Sequence, residues 1–303
     1  MRIKVFQVNE RDAGIRLDKW FYRNIPEMHF IIVAKLIRKG QVRLDSKRVK
    51  INTKISCNQV IRTPIVTLQW QHKKKYLPPN NFETFKKKFF DSIIYEDKYL
   101  IAINKSYNLC VQSGSNVKIS IVCILKILNL KYFIVHRLDR YTTGLLLIAK
   151  DITVTTELNR LFRENKINKT YLAILSGIPA DKQRTIESII NTYDGGSQKK
   201  RIAKTKYEVL SVYNNSLSFV KMIPITGRKH QLRIHSKELQ CPILGDKRYS
   251  NHKSKDNVII TKYLHLHSYL LRFWLFNKSY SLKAPVPRHF ENTLEKYFQY
   301  IPK

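Results

Sequence analysis

The run HRLDRYTTGLLLIAK, residues 136–150, sets one ionisable carboxylate, Asp139, between basic residues and an apolar stretch. A carboxylate so placed can act as a nucleophile in covalent catalysis. An RLD tripeptide alone reads as an aspartate in a turn at a strand end, so the surrounding motifs must decide. Other chemistries find no support: the chain has no P-loop, no Rossmann glycine fingerprint and no HExxH. Cys57, Cys110, Cys123 and Cys241 lie far apart without a CxxC pair, which argues against a structural zinc site and a disulfide framework. They read as small buried apolar residues in a reducing compartment. His136, His230, His235, His265 and His267 are read as structural or RNA-contacting. His265 and His267 alternate along a strand and share a face, but no third metal ligand lies near them in sequence. No metal site is expected.

Further segments follow in a set order around this motif. YEDKYLIAINKS precedes it, and TYLAILSG, PITGRKHQLRIH, CPILGDKRYS, LHLHSYLLRF and APVP come after. Together with HRLD they resemble the RluA-type pseudouridine synthases, over nearly all of residues 93–287. The resemblance implies that Asp139 is the nucleophile. It places Arg233, from HQLRIH, beside that carboxylate, and Leu232 against the base. Tyr171, in NKTYLAILSG, would stack on the extruded base and assist proton transfer, and Arg137 would fill the space the base leaves.

Those residue types suit the reaction. Isomerising uridine breaks the bond from sugar to base nitrogen and remakes it to carbon 5, with no redox step, so no cofactor is expected. The covalent intermediate could form on the sugar or on the base. A carboxylate in a water-excluding pocket tends to protonate, and an adjacent guanidinium counters that through a charge-assisted hydrogen bond. A base inside a stem must first be flipped out, at a cost of about a few kcal/mol. There are departures from the family pattern: Ser106 stands where proline usually follows INK, and Tyr141 where an acidic residue usually follows HRLDR. VQSGSN, residues 111–116, is closer to the turn of the large-subunit rRNA subgroup called RluC, apart from Ser113.

The elements that would position these groups are mostly strands. SIIYEDKYLIAINKS reads as two strands around Glu96-Asp97, FIVHRLD and GLLLIAK as another pair, and TYLAILSG as a strand stopped by Gly177. AKTKYEVLSVYNNSLSFVKMIPITG reads as a hairpin around Asn214-Asn215, and YLHLHSYLLRFWL as a late strand. DITVTTELNRLFRENKI is an amphipathic helix with Leu158, Leu161 and Phe162 on one face. The fold class expected is α+β, with a mixed, largely antiparallel sheet.

Residues 1–63 read as a separate basic unit. Leu17, Trp20, Phe21 and Ile25 have helical spacing, and HFIIVAKLIRKG is a second helix with a glycine stop. Short strands with a turn at Asp45-Ser46 follow. With Lys35, Arg38, Lys39, Arg43, Lys47 and Arg48 near the junction, this unit resembles the S-four-like RNA-binding domain. Residues 64–90, rich in Pro, Asn and Lys, read as a linker, with Pro78-Pro79 extended and stiff. The catalytic domain would span 91–303.

Composition points the same way. The 303 residues carry 56 Lys+Arg against 22 Asp+Glu, a formal charge of +34. Such an excess favours a polyanionic partner through counterion release. No apolar run is long enough for a membrane helix, and the N-terminus has no apolar signal core. The expected partner is structured RNA, 23S rRNA or a large-subunit precursor, acted on by a cytoplasmic monomer. The alternatives are the same reaction on tRNA, or a non-catalytic RNA-binding ribosome-assembly factor.

Overall fold

The computed structural model describes all residues except 1, 26–27, 29, 66–81, 113–118, 195–196, 251–260 and 300–303. Its backbone divides into two compact units, Met1–Lys75 with Tyr193–Lys199, and Tyr76–Thr192 with Lys200–Lys303.

In the first unit β1 (Arg2–Gln7) is followed by α1 (Leu17–Asn24), α2 (Phe30–Arg38), β2 (Arg43–Leu44), β3 (Lys47–Arg48) and β4 (Val60–Ile65). The strands pair in the order β1-β4-β2-β3. Leu17, Trp20 and Phe21 of α1 meet Val33, Leu36 and Ile37 of α2 in one core, as their helical spacing requires. The β2–β3 hairpin turns on Asp45 and Ser46, both at positive φ, 49° and 64°. That pair of dihedrals defines the two-residue turn whose twist matches the strands. The Asp45 carboxylate fixes it further by accepting from the Val60 backbone and the Gln59 side chain.

The second unit begins with α3 (Phe82–Asp91), β5 (Ile93–Glu96), β6 (Leu100–Lys105), α4 (Ile121–Ile127), β7 (Phe133–Ile134) and β8 (Thr143–Ala149). The chain continues through α5 (Ile152–Arg163), β9 (Asn168–Ser176), β10 (Gln183–Asp194) and β11 (Ser197–Tyr213), of which Tyr193–Lys199 fall in the first unit, then β12 (Leu217–Pro224) and α6 (Gln231–Glu238). β13 (Leu266–Leu275), β14 (Lys278–Lys283) and α7 (Arg288–Phe298) complete it. The sheet runs β10-β11-β12-β9-β13-β8-β6-β5, with β14 on β13 and β7 on β8. β8 meets β13 in parallel, whereas β6 and β7 on β8, and β9 and β14 on β13, run antiparallel. The architecture is mixed α+β with a largely antiparallel sheet.

β8 explains the unbroken apolar run that follows the HRLD motif. Leu145, Leu147 and Ala149 feed one core, and Leu146 and Ile148 feed another on the opposite face. A strand covered on both faces has no reason to alternate. At its start Gly144 has φ +102, and a Cβ there would overlap the Ser268 backbone of β13. Only glycine lets the two strands approach this closely.

Two boundaries differ from the sequence expectation. β4 runs to Ile65, and the stretch read as a linker ends in α3. Phe82, Phe85 and Phe89 recur at helical spacing and pack with Ile101 and Ile103, while Lys87 and Lys88 stay exposed. The lysines that argued against packing occupy the solvent side of an amphipathic helix. Pro78-Pro79, and Ser113 to Asn116 of the VQSGSN turn, lie outside the described residues.

Candidate active site

Asp139 sits in the loop between β7 and β8, where the chain leaves a short strand before β8 enters the core. The Thr142 amide donates to the Asp139 carbonyl at 3.2 Å and closes the turn. Beneath the loop lies Lys105, the last residue of β6, with no exposed surface. Its ammonium donates to the carbonyls of Ser106, Leu109 and Arg140 at 3.0–3.1 Å. Burial lowers its pKa to about 7, against the opposing pull of Cys110 and Asp139.

α6 supplies the groups that face Asp139. Its entry is set by Gln231, a buried amide with all its hydrogen-bonding capacity directed at the preceding turn and β11. Its oxygen accepts from Thr226 and the Arg228 amide, and its nitrogen donates to Lys204 and Thr205. His230, in the left-handed region at φ 58, holds Nε2 3.5 Å from one Asp139 oxygen. Its Nδ1 lies 2.9 Å from the Tyr249 hydroxyl. Burial lowers the His230 pKa, and the Asp139 charge opposes that shift.

Arg233, one helical turn inside α6, is buried. Its Nε and Nη2 donate side by side to the Asp246 carboxylate, both at 2.7 Å. That leaves Nη1 facing Asp139 at 3.5 Å. The main partner of this guanidinium is therefore Asp246, within CPILGDKRYS, and Asp139 is its second. Asp246 also accepts from the amides of Arg248 and Tyr249, and Tyr249 lies under the guanidinium at 5.0 Å. Burial depresses the Arg233 pKa, but the Asp246 bonds and the Asp139 charge outweigh it and leave it raised.

A cleft of about 760 Å³ opens on this group. Among its described lining residues Asp139 is the single carboxylate, ringed by Arg137, Arg163, Lys169, Arg228 and Lys229. Tyr171 and Leu232 line it too. Burial, helped by the Asp139 charge, raises the Tyr171 pKa to about 12, so its hydroxyl stays protonated at neutral pH. The structure thus gathers Asp139, Tyr171, Arg233, Arg137 and Leu232 in one cleft. Arg137 is exposed at the rim and donates to Gln112 at 3.2 Å. The arrangement places one carboxylate, beside Tyr171 and Leu232, in the wall of a cleft ringed by cations.

The basic residues of the first unit separate into two kinds. Lys35, Arg38, Lys39, Lys47 and Arg48 are exposed. Arg43 is partly buried, and its guanidinium donates to the Gly40 and Ser46 carbonyls at 3.0 and 3.2 Å. Those two bonds brace the β2–β3 turn and leave the guanidinium charged.

His136, His265 and His267 serve the framework. His136 accepts from the Leu147 amide through Nε2 and stacks on Phe162. His267 bonds Thr143 and the Ala284 carbonyl, and His265 bonds Thr293 and the Tyr263 carbonyl. Among the described residues no cluster suits a metal ion, and no helix is long and apolar enough to cross a membrane.

Residues 99–238 match the family model described as RNA pseudouridylate synthase. A relative from Rickettsia prowazekii (strain Madrid E), "Ribosomal large subunit pseudouridine synthase C", is 35% identical over 91% of this chain and 95% of its own. The chain belongs to the pseudouridine synthase family. A relative of the same name from Buchnera aphidicola subsp. Schizaphis graminum is 29% identical over 96% of each chain. Among solved structures, "Human RNA Pseudouridylate Synthase Domain Containing 4" superposes with a TM-score of 0.59 at 29% identity. It covers 70% of this synthase and 95% of its own chain. HRLD, TYLAILSG and HQLRIH all fall within the matched region.

Sequence reasoning did not find Asp246, Gln231 or Lys105 as parts of this site. Asp246 and Lys105 lie inside motifs that were noted only as family text. It also set His230 aside with the other histidines, although a histidine two residues before the leucine of HQLRIH sits at the mouth of α6.

Proposed function

We propose that this synthase converts uridine to pseudouridine in large-subunit ribosomal RNA, using Asp139 as covalent nucleophile. The observation that carries the reading is Asp139, the single carboxylate among the described lining residues of a cationic cleft, faced by Arg233 Nη1 and His230. The rRNA target is supported by relatives along nearly the whole chain whose names specify the large ribosomal subunit. In the reaction the flipped uridine enters between Tyr171 and Leu232, and Asp139 adds to it covalently. The bond from C1′ to N1 breaks, the base turns, and C5 bonds C1′. The carboxylate then leaves, while C5 loses its proton and N1, which carried none in uridine, takes one up. Contacts of 3.5 Å are long for hydrogen bonds, and such contacts commonly shorten once substrate is bound.

Residues 1–63 act in this proposal as an S-four-like RNA-binding domain, with Lys35, Arg38, Lys39, Lys47 and Arg48 on phosphates. The synthase works as a cytoplasmic monomer on 23S rRNA or its precursor and needs no cofactor. The test has two arms. Purified protein should release tritium from carbon-5-labelled uridine in unmodified 23S rRNA without added cofactor, and Asp139→Asn should release none. Carbodiimide-stop primer extension on rRNA and tRNA, with and without the gene, should lose stops in 23S rRNA only. Loss confined to tRNA would overturn the target, and full rescue by Asp139→Asn would overturn the enzyme.

A further inference from the structure

A second cavity, about 310 Å³, shares lining residues with the cleft. Asp139, Arg140, His230 and Arg233 line both spaces. Its remaining wall brings together Tyr107, Tyr141, Lys247 and Arg248, none of which the isomerisation uses. Its size lies within the range of small-molecule sites.

The aromatic wall is braced. Tyr107 donates its hydroxyl to the Lys262 carbonyl at 2.9 Å and meets Tyr263 edge-on at 5.1 Å. Tyr263 in turn stacks on His289 at 4.7 Å. Tyr141 leans on this fixed assembly, 5.3 Å from Tyr107, yet keeps 39% of its surface exposed. A lone exposed aromatic needs no explanation, but one held against a rigid wall beside a nucleophile is a stacking platform. Cations surround it. Arg140 is held by Asn108 at 2.7 Å and lies over the Tyr141 ring at 5.6 Å. Lys247 and Arg248 are exposed. The two acids present, Asp139 and Asp246, both face Arg233.

We infer that this cavity holds the base of an unpaired nucleotide next to the target uridine, stacked on Tyr141, with Arg140, Lys247 and Arg248 at its phosphates. The inference rests on the reading of the chain as an RNA-modifying enzyme. An exposed aromatic ring accepts any base, and a flanking cation binds the backbone without reading sequence. Because one carboxylate borders both spaces, a strand with its uridine in the cleft would bring the next residue to this wall. The site would thus select targets whose neighbour can unstack.

The probe is a short single-stranded RNA with one uridine, carrying 2-aminopurine on its 5′ or its 3′ side. With the full chain, fluorescence should be quenched at one of the two positions. Tyr141→Ala should abolish that quench and weaken binding about ten-fold, in line with the contribution of one stacked base, while Tyr141→Phe keeps both. An abasic residue at the same position should weaken the wild type as much, and Tyr141→Ala should then add nothing. Lys247→Gln with Arg248→Gln should make binding less steeply salt-dependent. Absence of quenching at both positions, or an equal Tyr141→Ala loss on the abasic RNA, would overturn the inference. Tritium release by the wild type is scored separately: its failure counts against the proposed activity, whereas the quench reports only occupancy of the cavity.

Discussion

Arg233 illustrates how one guanidinium can serve two carboxylates without being neutralised by either. Its fork is closed on Asp246 through two short bonds, which fixes the plane and leaves one nitrogen directed at Asp139. Removing one partner of a buried pair costs roughly 3–5 kcal/mol, because the other charge stays behind unpaired. Asp246→Asn should therefore lower the unfolding free energy by about that amount in urea titrations. It should also slow single-turnover isomerisation by about a hundred-fold, as the misaimed guanidinium no longer holds Asp139 in register. The residues central to the proposed reaction, Asp139, Tyr171 and Arg233, stood out in the sequence because short contiguous motifs surround them. Asp246 did not, since its partnership spans thirteen residues and a turn, and nothing in GDKRYS announces a carboxylate turned inward. Arg43 is a different case: a basic residue in a basic segment gives no sign that two of its donors brace a turn.

Between elements, neutral histidines act as cross-braces. His136 ties the loop before Asp139 to β8, His267 ties β13 to the start of β8, and His265 ties the entry to β13 to α7. Burial lowers their pKa values to about 3, about 4 and about 4 respectively. An unfolded chain, with ordinary values of about 6.5, takes up these protons first on acidification. Stability should accordingly fall as pH drops from about 6.5 towards 4, by up to about 1.4 kcal/mol per pH unit for each histidine. Urea titrations at pH 7.5, 6 and 5 would measure the slope, and a flat profile would show that these braces tolerate charge. The strands of this scaffold were legible from their apolar runs. α3 was not, because its lysines mask a three-phenylalanine stripe that only the helical period reveals. The strand β10 also gave little signal, for QRTIESIINTYD is polar enough to pass as a loop.

For the molecule as a whole, charge is the dominant long-range property. A formal +34 spread over the chain predicts RNA affinity that falls linearly with the logarithm of salt concentration. Each neutralised phosphate contributes a slope of roughly 0.7 to 0.9. If the first unit contributes through α2 and its following turn, replacing Lys35, Arg38 and Lys39 together by glutamine should flatten that slope by about two to three. The isomerisation rate on saturating RNA should change little. Filter binding of 23S rRNA fragments across a potassium chloride series would read the first effect, and tritium release the second. A steep slope left intact would assign the electrostatic work to the rim of the catalytic cleft.

Lys105 carries a consequence of another kind. An amine with a pKa near 7 is largely unprotonated in mildly alkaline buffer, where surface lysines are almost wholly charged. By its chemistry it should be among the most reactive amines in the chain towards acylating reagents, yet no part of it reaches solvent. Its acylation must wait for the loop bearing Asp139 to lift away from β6. Mass-spectrometric labelling of this single site, timed against the surface lysines, would thus be a stopwatch for opening of the Asp139 loop. Bound RNA should slow it.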